Sequence, residues 1–172
     1  MKFEITELLK EMLPIFISVV AGGIITIRVN DKSNKQNIFQ NFKFDYYVKL
    51  HIMLYKLATS VADYTFNGKF EIEESLSISR YLNVEFNFVE NIREEFKKAE
   101  DNIIRLQLYQ SEAIEEIEKI RSANKYINEN ELYSDEKVKS LTQEFYERKN
   151  IILEKIMAVR NDVSIEINKY NK

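Results

Sequence analysis

The chain has 172 residues, of which 45% are hydrophobic and 31% charged, and a net charge of −3. That length admits one domain plus an appendage, with apolar residues enough for a core, and the charge balance excludes a chain-wide attraction to nucleic acid. Three glycines and one proline leave little punctuation for a many-turned β fold, and the lack of cysteine removes disulfides and thiolate metal sites.

Residues 1–11 read as a short amphipathic lead-in, with Phe3, Ile5, Leu8 and Leu9 among acids and Thr6 as a candidate N-cap. Then comes Met12 to Ile27, MLPIFISVVAGGIITI, 16 residues without a charge. At a helical rise of ~1.5 Å per residue they span about 24 Å, somewhat short of a hydrocarbon core of about 30 Å. Leu8, Leu9 and Val29 lengthen the run, and Lys10 and Arg28 are placed to snorkel toward headgroups. Pro14 falls near the start, where a lost backbone bond costs least, and Gly22 and Gly23 are common in spanning helices. Ser18 and Gly22 form a small-xxx-small pair that lets helix backbones approach. These features predict a transmembrane anchor over 12–29 that self-associates through Ser18, Gly22 and Gly23. Three other readings compete: a buried core helix; a strand pair, Ile15 to Val20 and Ile24 to Val29, turning at Gly-Gly; and a cleaved signal peptide, which Glu4, Glu7 and Glu11 oppose.

Lys2 and Lys10 precede the anchor, whereas Arg28, Lys32, Lys35, Lys43 and Lys49 follow it. By the positive-inside rule the C-terminal part lies in the cytosol, under an inner or plasma membrane of bacterial type crossed once. Lys10, Arg28, Lys32 and Lys35 are the expected lipid-headgroup contacts. From Arg28 to Lys56 there are six basic and two acidic residues; from Lys69 to Ile120, thirteen acidic and seven basic. The basic part adjoins the anchor, where anionic lipid attracts it. The polar stretch 30–37 is the expected linker, with one continuous helix as the alternative.

Residues 38–172 read as a helical bundle. Phe39, Phe42, Tyr46, Leu50, Met53, Leu57, Val61 and Tyr64 recur at helical spacing. Thr65 to Ile72, TFNGKFEI, holds an Asn-Gly that fits either a hairpin or a helix–helix turn, and Ser75 to Leu82 adds a short helix. From Val84 to about Asn128 the period is heptad-like. Ile103, Gln110, Ile117 and Asn124 take one seam position; Ala99, Leu106, Ala113, Ile120 and Ile127 take the other. Gln110 and Asn124 are polar seam residues of the kind that fix register. Glu94 to Lys98 and Glu115 to Lys119 are candidate ion pairs. Asn128 to Ser134 reads as a break, with Ser134 the N-cap of a last helix bearing Val138, Leu141, Phe145, Ile152, Ile156, Val159, Val163 and Ile167. Two long helices joined by a short loop pack antiparallel. The expected fold is all-α: one N-terminal transmembrane helix, then a three-helix bundle containing a long antiparallel coiled-coil hairpin.

Reactive chemistry is sparse. His51 is the one histidine and has no cysteine to share a metal with. Glu112, Glu115, Glu116 and Glu118 flank the apolar stripe as a solvated face, without the Glu-x-x-His pairs of bundle di-metal sites. Arg160-Asn161 resembles the Arg-Asn of small helical ribonucleases of the HEPN type, whose motif needs a His a few residues on; Asp162 to Asn168 contains none, so that activity is not carried over. The expectation is a non-enzymatic protein without metal, cofactor, small-molecule substrate or nucleic-acid partner, one that binds membrane lipid and either a protein partner or itself. Two alternatives stand beside it. One is a membrane-permeabilising effector, which resembles holin-like or abortive-infection proteins in general layout. The other is a soluble helical subunit whose N-terminal helix is buried by partners.

Overall fold

A computed structural model describes residues 2–83, 86–123 and 127–170, with side chains from Val29 onward. Among them every regular element is helical: α1 (Lys2–Asp63), α2 (Glu73–Leu82), a 3-10 turn (Asn87–Val89), α3 (Glu90–Ala123), α4 (Glu129–Ser134) and α5 (Glu136–Asn168). The chain divides into two compact units, Met1–Asp45 and Tyr46–Lys172.

The first unit is helix. Its backbone leaves no room for the strand pair at Gly-Gly. The 30–37 stretch, expected as a linker, is helical as well. Asn, Asp and Ser favour turns where a breaker lets the chain leave the helix, and neither Gly nor Pro stands between Gly23 and Gly68. Residues 29–42 are all exposed, so Phe39 (50% exposed) and Phe42 do not join the buried stripe expected of them. Lys43 instead places its ammonium 4.6 Å from the centre of the Phe39 ring. The predicted anchor, with Lys10, Ser18, Gly22, Gly23 and Arg28, lies outside the described side chains. Among the described residues no helix is long and apolar enough to cross a membrane.

In the second unit α1 buries Tyr46, Tyr47, Leu50, Leu54, Leu57, Ala58 and Val61, one face at spacings of three and four. α3 and α5 pack antiparallel. Lys137 meets Glu116 near the tip, and the Tyr109 hydroxyl lies 3.1 Å from both the Leu141 carbonyl and the Glu144 carboxylate. α1 runs parallel to α3 and antiparallel to α5: the Tyr47 hydroxyl donates to the Phe88 carbonyl at 3.0 Å, and its ring sits 6.5 Å from that of Tyr170. The short helix expected at Ser75–Leu82 is α2, and it packs against α1 and α3. α2 buries Ser75, Ile78 and Leu82, and its Ser75 and Ser79 hydroxyls donate to one oxygen of Glu100 on α3, at 3.3 and 2.6 Å.

Of the two forms that the Asn-Gly of 65–72 allowed, the structure has the helix–helix turn, and the break expected at 128–134 is partly helical. Thr65–Ile72 is an irregular connector closed by Gly68 N–H donating to the Thr65 carbonyl at 3.0 Å, with no strand; its flanks are too short to pair. Asn128–Ser134 is a short helix with its own capping box, in which the Asn128 side chain accepts from Glu131 N–H and the Glu131 side chain accepts from Asn128 N–H. Asp135, not Ser134, caps α5, its carboxylate accepting from Lys137 N–H at 2.8 Å and Val138 N–H at 3.3 Å. Ser134 is the last residue of α4, so the cap falls to Asp135, whose negative charge also suits the positive end of the helix. The Ser134 hydroxyl turns back to the Asn130 carbonyl.

Candidate functional site

Of the predicted seam, Ile103, Leu106, Gln110, Ala113 and Ile117 are buried, and Ile120 and Ile127 are partly so and packed against the same core. Asn124 lies outside the described residues. Gln110 does not meet a polar partner on α5. Its amide nitrogen donates to the carbonyls of Phe66 at 2.5 Å and Gly68 at 3.0 Å, and its amide oxygen accepts from the Tyr64 hydroxyl. One buried side chain thus satisfies three polar groups of the connector, which is how a buried amide escapes the cost of an unmade bond. Around it Phe145 packs edge-on against Tyr64 (5.1 Å) and Phe66 (5.4 Å). Lys149 closes the end of α1 by donating to the Ala62 carbonyl at 2.9 Å and the Tyr64 carbonyl at 3.1 Å; a cation there satisfies the orphan carbonyls and suits the helix dipole.

At the other end of the bundle sits an aromatic cluster. Tyr46 stacks on Tyr81 (4.4 Å) and meets Phe88 edge-on (5.5 Å), while Phe86 stacks on Phe88 (5.1 Å). The Tyr46 hydroxyl donates to the Tyr81 carbonyl at 2.8 Å. Burial, then the neighbouring Tyr81 hydroxyl, pushes the Tyr46 phenol up to about 12. Burial first, then Glu166, raises that of Tyr47. These phenols stay protonated donors at neutral pH. Nothing in the spacing of the tyrosines announced carbonyl partners 35 and 41 residues away.

His51 faces α5. Burial, then the Arg160 guanidinium, lowers its pKa, so it is neutral at pH 7. The Arg160 guanidinium lies 5.1 Å from the centre of the Tyr55 ring, and its Nε is buried without a hydrogen-bond partner. The predicted Glu115–Lys119 pair forms at 2.9 Å, but Lys98 pairs with Glu95 at 2.5 Å rather than with Glu94. Glu116 also serves Lys137, which lowers its pKa. Lys32 and Lys35 are exposed. Among the described residues no group of three or more His, Cys, Asp or Glu is placed to hold a metal ion.

Fold and residues together define an all-α helical bundle fed by a long N-terminal helix. No protein family, curated protein or solved structure matched the chain when it was compared with known proteins.

Proposed function

We propose that the chain is a membrane-anchored, non-enzymatic assembly protein. Residues 12–29 span an inner or plasma membrane once, and the bundle and its coiled-coil hairpin meet a protein partner or further copies on the cytosolic side. The observation that carries this reading is the unbroken course of α1 from Lys2 to Asp63, so that the uncharged run and the buried Tyr46–Val61 face belong to one helix. Exposed Lys32 and Lys35 add support. At the helical rise they stand about 8 and 12 Å beyond Ile27, within reach of headgroups for long side chains. Small residues at 18, 22 and 23 suit close approach between anchors.

Membrane fractionation tests it. The full chain is expected in the pellet after an alkaline carbonate wash. The double variant Val20→Glu, Ile24→Glu is expected in the supernatant, because charge at mid-bilayer costs several kcal/mol. Release of the unaltered chain by carbonate overturns the reading.

A further inference from the structure

We propose that the groove between α3 and α5 binds a small phosphate-bearing ligand, with Arg105 and Arg148 as its two anion contacts. The site belongs to the bundle and does not depend on what surrounds residues 12–29.

The seam between these two helices keeps one register. Glu116 meets Lys137, and the Tyr109 hydroxyl reaches Glu144. One turn before Tyr109 and one turn after Glu144, the same pairing sets Arg105 opposite Arg148. Both line one cavity of about 300 Å³, together with Asn102, Leu106, Ile151 and Ile152. None of these described lining residues carries a carboxylate. Two turns farther on the same faces, Lys98 and Lys155 hold matching positions. Cations thus stand opposite cations along a seam whose tip pairs opposite charges. Like charges so placed repel, and an anion between them turns that repulsion into attraction on both sides.

The carboxylates nearby do not cancel this charge. Glu144 accepts from Arg148 Nε at 3.0 Å and Nη2 at 2.6 Å, and Glu95 holds Lys98. Arg105 and Lys155 make no ion pair among the described residues, although Asp101 stands one turn before Arg105. With Asp101 counted as well, the four cations still outnumber the carboxylates. By helical spacing Glu112, Glu147 and Glu154 lie toward the outer edges of the two helices. A groove walled by one sign of charge concentrates counter-ions.

Arg148 is also held in place. Its guanidinium lies 4.4 Å from the centre of the Tyr109 ring, and the Tyr109 hydroxyl bonds the same Glu144 carboxylate. A guanidinium fixed by a ring and a carboxylate presents its remaining N–H groups at little further entropic cost. Planar guanidinium forks match pairs of phosphate oxygens. The volume is at the lower end for small-ligand sites, which suits a phosphate bearing a modest organic group. Buried Leu106 and Ile152 give that group an apolar floor, and half-exposed Ile151 gives it an edge.

Isothermal titration calorimetry of the full chain in nonionic detergent micelles tests the site, with inorganic pyrophosphate and ADP as separate probes. Both are expected to bind, ADP the more tightly through the apolar floor; binding of pyrophosphate alone supports the anion site with an inorganic occupant. Arg105 is exposed, so R105Q should keep its fold by circular dichroism and bind about tenfold more weakly or worse. R105K should recover part of the loss. K97Q removes a cation from the outer face of α3 and should leave binding unchanged. Pyrophosphate should raise the thermal midpoint of the unaltered chain and not that of R105Q. No binding of either probe by the folded, unaltered chain at millimolar concentration overturns the inference. So does equal affinity in R105Q, or an equal loss in K97Q and R105Q.

Discussion

The two ends of the bundle hold α1 in different ways. At the Tyr46 end, rings of Tyr46, Tyr47, Tyr81, Phe86 and Phe88 touch one another several times over, and each hydroxyl reaches a different carbonyl. At the Gln110 end, one amide bonds Phe66, Gly68 and Tyr64 at once, with Gln107 donating to the Phe70 carbonyl and Lys149 to the Tyr64 carbonyl beside it. Redundant apolar contact tolerates the loss of one polar group, because packing remains. A hub of buried hydrogen bonds does not, because removing it leaves several partners unsatisfied at once.

That contrast orders the expected effects. The largest is Phe145→Ala, a fully buried ring in contact with both Tyr64 and Phe66; it should cost about 3–5 kcal/mol in urea unfolding followed by circular dichroism. Gln110→Leu keeps the volume and deletes the hub, and should cost about 1–3 kcal/mol. Tyr64→Phe in the Gln110→Leu background should then add little, since the hydroxyl's acceptor is already gone. Tyr47→Phe removes one hydrogen bond and keeps the ring, so about 1 kcal/mol is expected. A Tyr47→Phe cost equal to that of Gln110→Leu would erase the distinction between the ends.

The smallest effect is one of pH. His51 has a folded-state pKa below its unfolded value, so the unfolded chain binds its proton more readily. Its contribution to stability is full above the ordinary histidine range and is lost as pH falls through that range. Thermal midpoints should therefore decline on acidification from pH 7.5 to 5.5, and His51→Gln should flatten the decline. An unchanged slope in that variant would assign the pH dependence to other groups.

Helix periodicity made the core legible. Ile103, Leu106, Ala113 and Ile117, and likewise Phe145, Ile152, Ile156, Val159 and Val163, are buried at the spacing that announced them. What periodicity cannot carry is the partner of a polar residue. Gln110 reads as a seam residue, yet its partners sit 42 to 46 positions earlier, in a connector whose position only the packed bundle defines. The same holds for Lys149, which reads as a surface lysine and in fact closes α1. Helix ends are set by local chemistry that the periodic pattern does not carry. Ser134 ends α4 and leaves the cap of α5 to Asp135, and the polar 30–37 stretch lacks the glycine or proline that would end a helix. Phe39 and Phe42 share the period of the buried face, but period alone does not say where a covering helix stops.

The proposed account turns on what surrounds residues 12–27, and a nitroxide at Val20→Cys in the full chain, reconstituted in lipid vesicles, measures it directly. Collision with dissolved oxygen should exceed collision with a water-soluble nickel complex at that site, and the order should reverse for the same label at Gln36→Cys. Nickel contact at Val20→Cys as frequent as at Gln36→Cys, or a Val20→Cys label that neither reagent reaches, would contradict an anchor held in lipid.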